Sequence, residues 1–220
     1  MGAPQPSGLP TVDLDDLVVR ITALRSNGGG RRIVGLTGPP GAGKSTVAAI
    51  LAARMEDARI VPMDGFHLAQ RVLDERGIAD RKGAPHTFDA AGFVALLARL
   101  RTASEIVWAP RFDRELEEPV AGALEIDPGA DLVIVEGNYL LLDDAPWHAV
   151  RGHLDLVVHL VVDPAVRVER LVARHVAHGR SAQAARRWVE RSDEVNARIV
   201  ESARHRADLL LAGDSWTVPD

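Results

Sequence analysis

Eight consecutive residues, Gly38-Pro39-Pro40-Gly41-Ala42-Gly43-Lys44-Ser45, have the types and spacing needed to hold phosphate. Glycines let a backbone curl so that successive N–H groups point inward, and a helix that follows adds the positive end of its dipole. Lys44 can then reach the outer phosphates, and the Ser45 hydroxyl can hold a magnesium ion. The flanks agree with the loop. Ile33–Thr37 reads as an apolar strand and Thr46–Ala53 as a helix, the context in which G-x-x-x-x-G-K-[ST] is a phosphate cradle and not a tight turn with a chance lysine. Gly38, Gly41, Ala42, Gly43, Lys44, Ser45 and Thr46 are the expected contacts of a nucleoside triphosphate, ATP, with Mg2+.

Two carboxylates and a group of arginines extend this chemistry. Glu136 follows the run Leu132-Val133-Ile134-Val135, which positions it to bind magnesium directly or through water; the plainer alternative is a strand-end residue facing solvent. Asp64 ends the short strand after the loop's helix, where a carboxylate can orient or deprotonate an acceptor hydroxyl, although Asp-Gly is also a common turn pair. Arg167, Arg170, Arg174 and Arg180 crowd one region, with Arg170 and Arg174 at four-residue spacing on one helix face. Phosphoryl transfer builds charge on equatorial oxygens that such arginines can neutralise; a solvated surface paired with Glu169 and Glu190 is the alternative for any one of them.

The elements that must position these groups follow in order. Residues 1–11 read as a flexible lead-in, and Asp13 as the cap of a helix through Leu17, Ile21 and Leu24 that ends at Gly28-Gly29-Gly30. Strands are expected at 31–37, 59–63, 131–135, 154–162 and 207–211, with an exposed polar excursion over 68–84 and a small hairpin within 104–126. Asp89 reads as the cap of a helix bearing Phe93, Leu96, Leu97 and Leu100, and Asp163-Pro164 as the start of a long helix broken at Gly179, with Ser181 capping the next. Strands alternating with helices predict an α/β fold, a P-loop three-layer sandwich with about five parallel strands and helices on both faces. The chain is 220 residues long, with 46% hydrophobic and 26% charged residues, which suits one soluble domain over 1–220. Its net charge of −5 argues against nucleic acid as the main partner, and no apolar run approaches a membrane span. The absence of cysteine fits a cytoplasmic protein. No motif reports oligomeric state, so a homo-oligomer stays open.

Together these residues resemble the P-loop kinase family of uridine kinase, phosphoribulokinase and type I pantothenate kinase. The resemblance spans about Arg31 to Leu211 and rests on Gly38–Ser45, Met63-Asp64-Gly65-Phe66-His67, Lys82–Asp89, Val135-Glu136-Gly137-Asn138-Tyr139 and the late Trp188…Asn196…Arg204–Asp208 segment. The run as a whole is most similar to a bacterial subgroup named for nucleoside/nucleotide kinases or for a fructose transport system. The resemblance implies Asp64 as the base, Glu136 near magnesium, Lys44, Arg170 and Arg174 on the transferring phosphate, and a lid within 165–187. It also implies His67, His86, Arg111 and Asn196 beside the acceptor. Two positions depart from the family pattern. His86 stands where relatives carry an acidic or small polar residue, and Arg111-Phe112-Asp113-Arg114 lacks the aromatic and histidine pattern that reads pyrimidine or pantothenate.

The expected activity is transfer of the γ-phosphate of ATP to a hydroxyl of a small alcohol. A nucleoside is the preferred acceptor, and a sugar or pantothenate-like alcohol the alternative. A nucleotide-dependent switch is the competing class, but Asn27, Asn138 and Asn196 are not followed by lysine, so a guanine reader of the Asn-Lys-x-Asp type is missing. A binding module without turnover is the third, and the retained Lys44, Ser45, Asp64 and Glu136 speak against it.

Overall fold

The computed structural model describes residues 8–26, 29–213 and Trp216. The elements in chain order are β1 (Thr11–Val12), α1 (Leu14–Ser26), β2 (Arg32–Thr37), α2 (Lys44–Arg54), β3 (Arg59–Pro62), α3 (Gln70–Glu75), α4 (Ala90–Thr102), β4 (Val107–Asp113), β5 (Glu118–Ile126), β6 (Leu132–Glu136), β7 (Leu156–Val161), α5 (Pro164–Ala177), α6 (Ala182–Trp188), α7 (Glu194–Ser202) and β8 (Leu209–Ala212). Six strands form a parallel sheet in the order β1-β8-β7-β2-β6-β3, and β4 and β5 form a separate antiparallel hairpin.

Alternating side chains of the central strands feed two cores. Ile33, Val133, Val135 and Val157 pack with Phe93, Leu96, Leu97 and Leu100 of α4 on one face. Val34, Leu36, Ile134, Val158 and Leu160 pack with Leu17 and Ile21 of α1 and Val47 and Leu51 of α2 on the other. Burying each such side chain contributes roughly 1.5–3 kcal/mol before conformational entropy is counted, so the sheet is a firm platform for its C-terminal edge. The caps read from sequence are present. Asp13 accepts from Asp16 N, Asp89 from Gly92 N, Asp163 from Ala165 N and Ser181 from Ala184 N.

The sheet has one strand more than the five expected. The added strand is β1, where Thr11 and Val12 pair with Leu210 and Leu211 and Leu210 N donates to the Pro10 carbonyl at 2.9 Å. Two residues beside a proline carry no periodic signal, and Thr11, expected to end the flexible lead-in over 1–11, begins this strand instead; the first seven residues, like Gly28, lie outside the described residues. The 68–84 excursion is likewise structured. It contains α3 and a single 3-10 turn at Ala79–Arg81, and Leu73 anchors it with no exposed surface. Among the described residues no helix is long and apolar enough to cross a membrane.

Candidate active site

The phosphate loop joins β2 to α2. Gly38, Gly41 and Gly43 have φ of 150°, 81° and 88°, a backbone that L side chains rarely adopt. At Gly41 there is also no room, since a Cβ would lie 2.9 Å from the Arg167 carbonyl oxygen and 2.9 Å from its Cγ. Lys44 is buried and folds back over the loop, donating to the carbonyls of Gly38 at 2.9 Å and Pro39 at 3.2 Å. Burial pulls its pKa down to about 8, against the opposing pull of Glu136 and Asp64. The ammonium is thus short of compensating charge, and an incoming phosphate would supply it.

Ser45 Oγ donates to Glu136 Oε1 at 2.9 Å. Glu136 closes β6 and is buried; burial first, and Asp64 next, push its pKa up, while Lys44 and the Ser45 hydrogen bond oppose the shift. A hydroxyl and a buried carboxylate held together at the base of a phosphate cradle are hard oxygen donors that fit a magnesium ion. Among the described residues no three His, Cys, Asp or Glu side chains gather as a metal site.

Asp64 sits on a single 3-10 turn, Met63–Phe66, directly after β3. The turn reading of Asp-Gly is thus met. The turn docks on the hairpin through Gly65, where a side chain would collide with the Pro110 carbonyl. Asp64 accepts an ion-paired hydrogen bond from Arg114 Nη2 at 2.8 Å. His67 follows, its ring 4.0 Å from that of Phe88 and 4.9 Å from that of Phe112, with Nδ1 2.8 Å from the Asp64 carbonyl oxygen. Burial holds its pKa down, against the pull of Asp64.

One cleft of about 1020 Å³ joins these groups, lined by Lys44, Ser45, Asp64 and Glu136 at the loop end and by Arg170 and Arg174 from α5. His67 and Asn196 also line it, and Asn196 Nδ2 donates to the Gly83 carbonyl at 3.2 Å. His86 and Arg111 do not line this cleft. His86 is exposed on the 3-10 turn Pro85–Thr87, whose inward side chain is Thr87. Arg111 is exposed because strand alternation beyond the β4 irregularity turns Phe112 inward. Arg167, grouped with the surface arginines by sequence, is buried instead. It donates to the Pro40 carbonyl at 3.2 Å and pairs with Glu194 at the start of α7.

Several cleft residues escaped the sequence reading. Lys82, Phe112 and Arg114 line the cleft together, with Lys82 Nζ 5.4 Å and Arg114 Cζ 4.9 Å from the Phe112 ring centre. The departure of residues 111–114 from the family pattern was the signal for Arg114. Asp193 pairs with His175 at 2.9 Å inside a π-helical turn, Val189–Asp193, a geometry that often marks functional sites. A Cβ at Gly43 would lie 3.0 Å from the Trp216 ring, beyond the last strand read from sequence.

Residues 33–213 match the model of the phosphoribulokinase / uridine kinase family. A Schizosaccharomyces pombe protein provisionally named a uridine kinase is 34% identical over 194 residues, covering 82% of this chain and 83% of its own. The pantothenate kinase of Enterococcus faecalis is 29% identical over 141 residues, covering 61% of this chain and 46% of its own. A crystal structure from Silicibacter sp. TM1040, provisionally described as a fructose transport system kinase, shares 41% identity at a TM-score of 0.84, covering 90% of this chain and 98% of that one.

Proposed function

Because the chain belongs to the phosphoribulokinase / uridine kinase family, we propose that it is an ATP-dependent kinase acting on a hydroxyl of a small alcohol. The acceptor oxygen attacks the γ-phosphorus and forms a P–O bond. The bond from that phosphorus to the β,γ-bridging oxygen breaks, its electron pair leaving with ADP, and Asp64 takes the hydroxyl proton. Loop N–H groups and Lys44 hold the phosphates, while Arg170 and Arg174 neutralise charge on the transferring group. Ser45 and Glu136 would hold magnesium, which when bound neutralises phosphate charge.

The observation that supports this reading best is the shared cleft, whose lining includes Asp64 together with Lys44, Ser45 and Glu136. Among acceptors, the resemblance favours a nucleoside, and a sugar or pantothenate-like alcohol is the other class. A cytoplasmic setting supplies the ATP that the reaction consumes.

The test is acceptor-dependent ADP release from a panel of nucleosides, ketohexoses, pantothenate and other small alcohols. The expected result is turnover that requires both ATP and one acceptor class. ATP binding without transfer to any alcohol would instead favour a switch or a binding module.

A further inference from the structure

Resting on that kinase reading, we propose that the acceptor is an acidic alcohol, carrying a carboxylate or phosphate close to its reacting hydroxyl, and that Arg114 with Lys82 is its anion-binding site. Three observations carry this.

The first is the partner of Arg114. Its guanidinium is engaged with Asp64, the group the acceptor hydroxyl must reach, at 2.8 Å. A carboxylate held by a guanidinium has fewer lone pairs to offer a hydroxyl. An anion on the acceptor gives Arg114 a second carboxylate-like or phosphate partner beside Asp64. The side chain is about half exposed, at 53%, so it can turn without unpacking a core. Binding the right acceptor then releases the base.

The second is Lys82. Its Nζ donates to Gln70 Oε1 at 3.1 Å and to the Glu117 carbonyl at 2.9 Å, both uncharged acceptors. Among the described residues it has no ion-pair partner within 4.0 Å. Neutral groups thus aim a full positive charge into the cleft wall. The third is convergence, since Lys82 and Arg114 flank one ring, that of Phe112, from two separate segments. Glu115 and Glu117 line the same cleft, which confines the favourable seat for an anion to the space between the two cations.

Because Arg114 touches Asp64 directly, the acid and the hydroxyl must lie a few bonds apart. Matched acid and neutral pairs test this: glycerate and glycerol, pantothenate and pantothenol for the carboxylate arm, ribose 5-phosphate and ribose for the phosphate arm. Each is titrated by calorimetry into the protein loaded with magnesium and a non-hydrolysable ATP analogue, then assayed for ADP release with ATP. In wild type, the acidic member of at least one pair is expected to bind about 30-fold more tightly than its neutral partner. Arg114→Ala should erase that ratio and raise the KM of the acid far more than it lowers kcat for the neutral partner. Arg114→Lys should restore the ratio in part.

The outcomes separate the two claims. Acid-selective binding without phosphate transfer keeps the anion site and removes the kinase reading. Transfer to a neutral alcohol with no preference for its acidic partner keeps the kinase reading and overturns the proposal. No acid-selective binding anywhere in the panel, or a ratio unchanged in Arg114→Ala, also overturns it.

Discussion

The two ends of the cleft are built differently. The donor end is made of main chain: glycines at positive φ, a helix start, and Lys44 folded onto two carbonyls, all within one eight-residue stretch between buried elements. The end proposed for the acceptor is made of side chains from three places, the Met63–Phe66 turn with His67, the segment around Lys82, and the β4–β5 hairpin with Phe112 and Arg114. A triphosphate tail is the same in every substrate, so its grip can be fixed in backbone geometry. An acceptor varies between relatives, and side chains on exposed turns can change without disturbing the sheet. The contrast separates a fixed chemistry from an adjustable one.

Variants can break or sharpen that contrast. The largest effect is expected from Lys44→Ala, which removes the buried cation of the donor end. Its kcat/KM should fall on the order of a thousandfold with every acceptor alike, checked by steady-state ADP release. Gly41→Ala is expected to act through backbone and space at once, forcing a left-handed residue against Arg167. It should cost roughly 2 kcal/mol and lower Tm by about 4–8 °C, with weaker ATP binding, measured by calorimetry. Arg167→Lys retains the charge but loses the fork that reaches both the Pro40 carbonyl and Glu194. It should cost about 1–2 kcal/mol in urea unfolding and raise the KM for ATP more than that for the acceptor. The smallest effects are expected at His86→Ala and Arg111→Ala, within about 0.5 kcal/mol in stability and twofold in rate, because both side chains lie outside the cleft. A tenfold loss at either would redraw the acceptor end.

The same contrast explains what could be read from sequence. Gly38–Ser45 is contiguous, and Asp64 and Glu136 stand at strand ends that parallel-sheet topology brings to one edge. Local pattern and a topological rule were enough for them. Lys82 and Arg114 are 32 positions apart, and they meet only because the hairpin docks on the Gly65 turn, a contact with no periodic signature. Arg167 shows the limit of spacing in another way. It shares a helix with Arg170 and Arg174, yet the hollow at Gly41 and the carboxylate of Glu194 draw it inside. His86 and Arg111 were placed near the acceptor by resemblance in local sequence, and the direction of a side chain on a turn or an irregular strand is decided by its neighbours. β1 was missed because two residues are too few for any period to show.

The central claim is that Asp64 completes a phosphoryl-transfer site with the loop, and Asp64→Asn tests it most directly because the change keeps the side chain's shape while removing the proton acceptor, along with the charge that pairs with Arg114. The account predicts that transfer to the preferred acceptor slows by about a hundredfold or more while the Kd for ATP stays within about twofold. Transfer at a near wild-type rate in Asp64→Asn would contradict it.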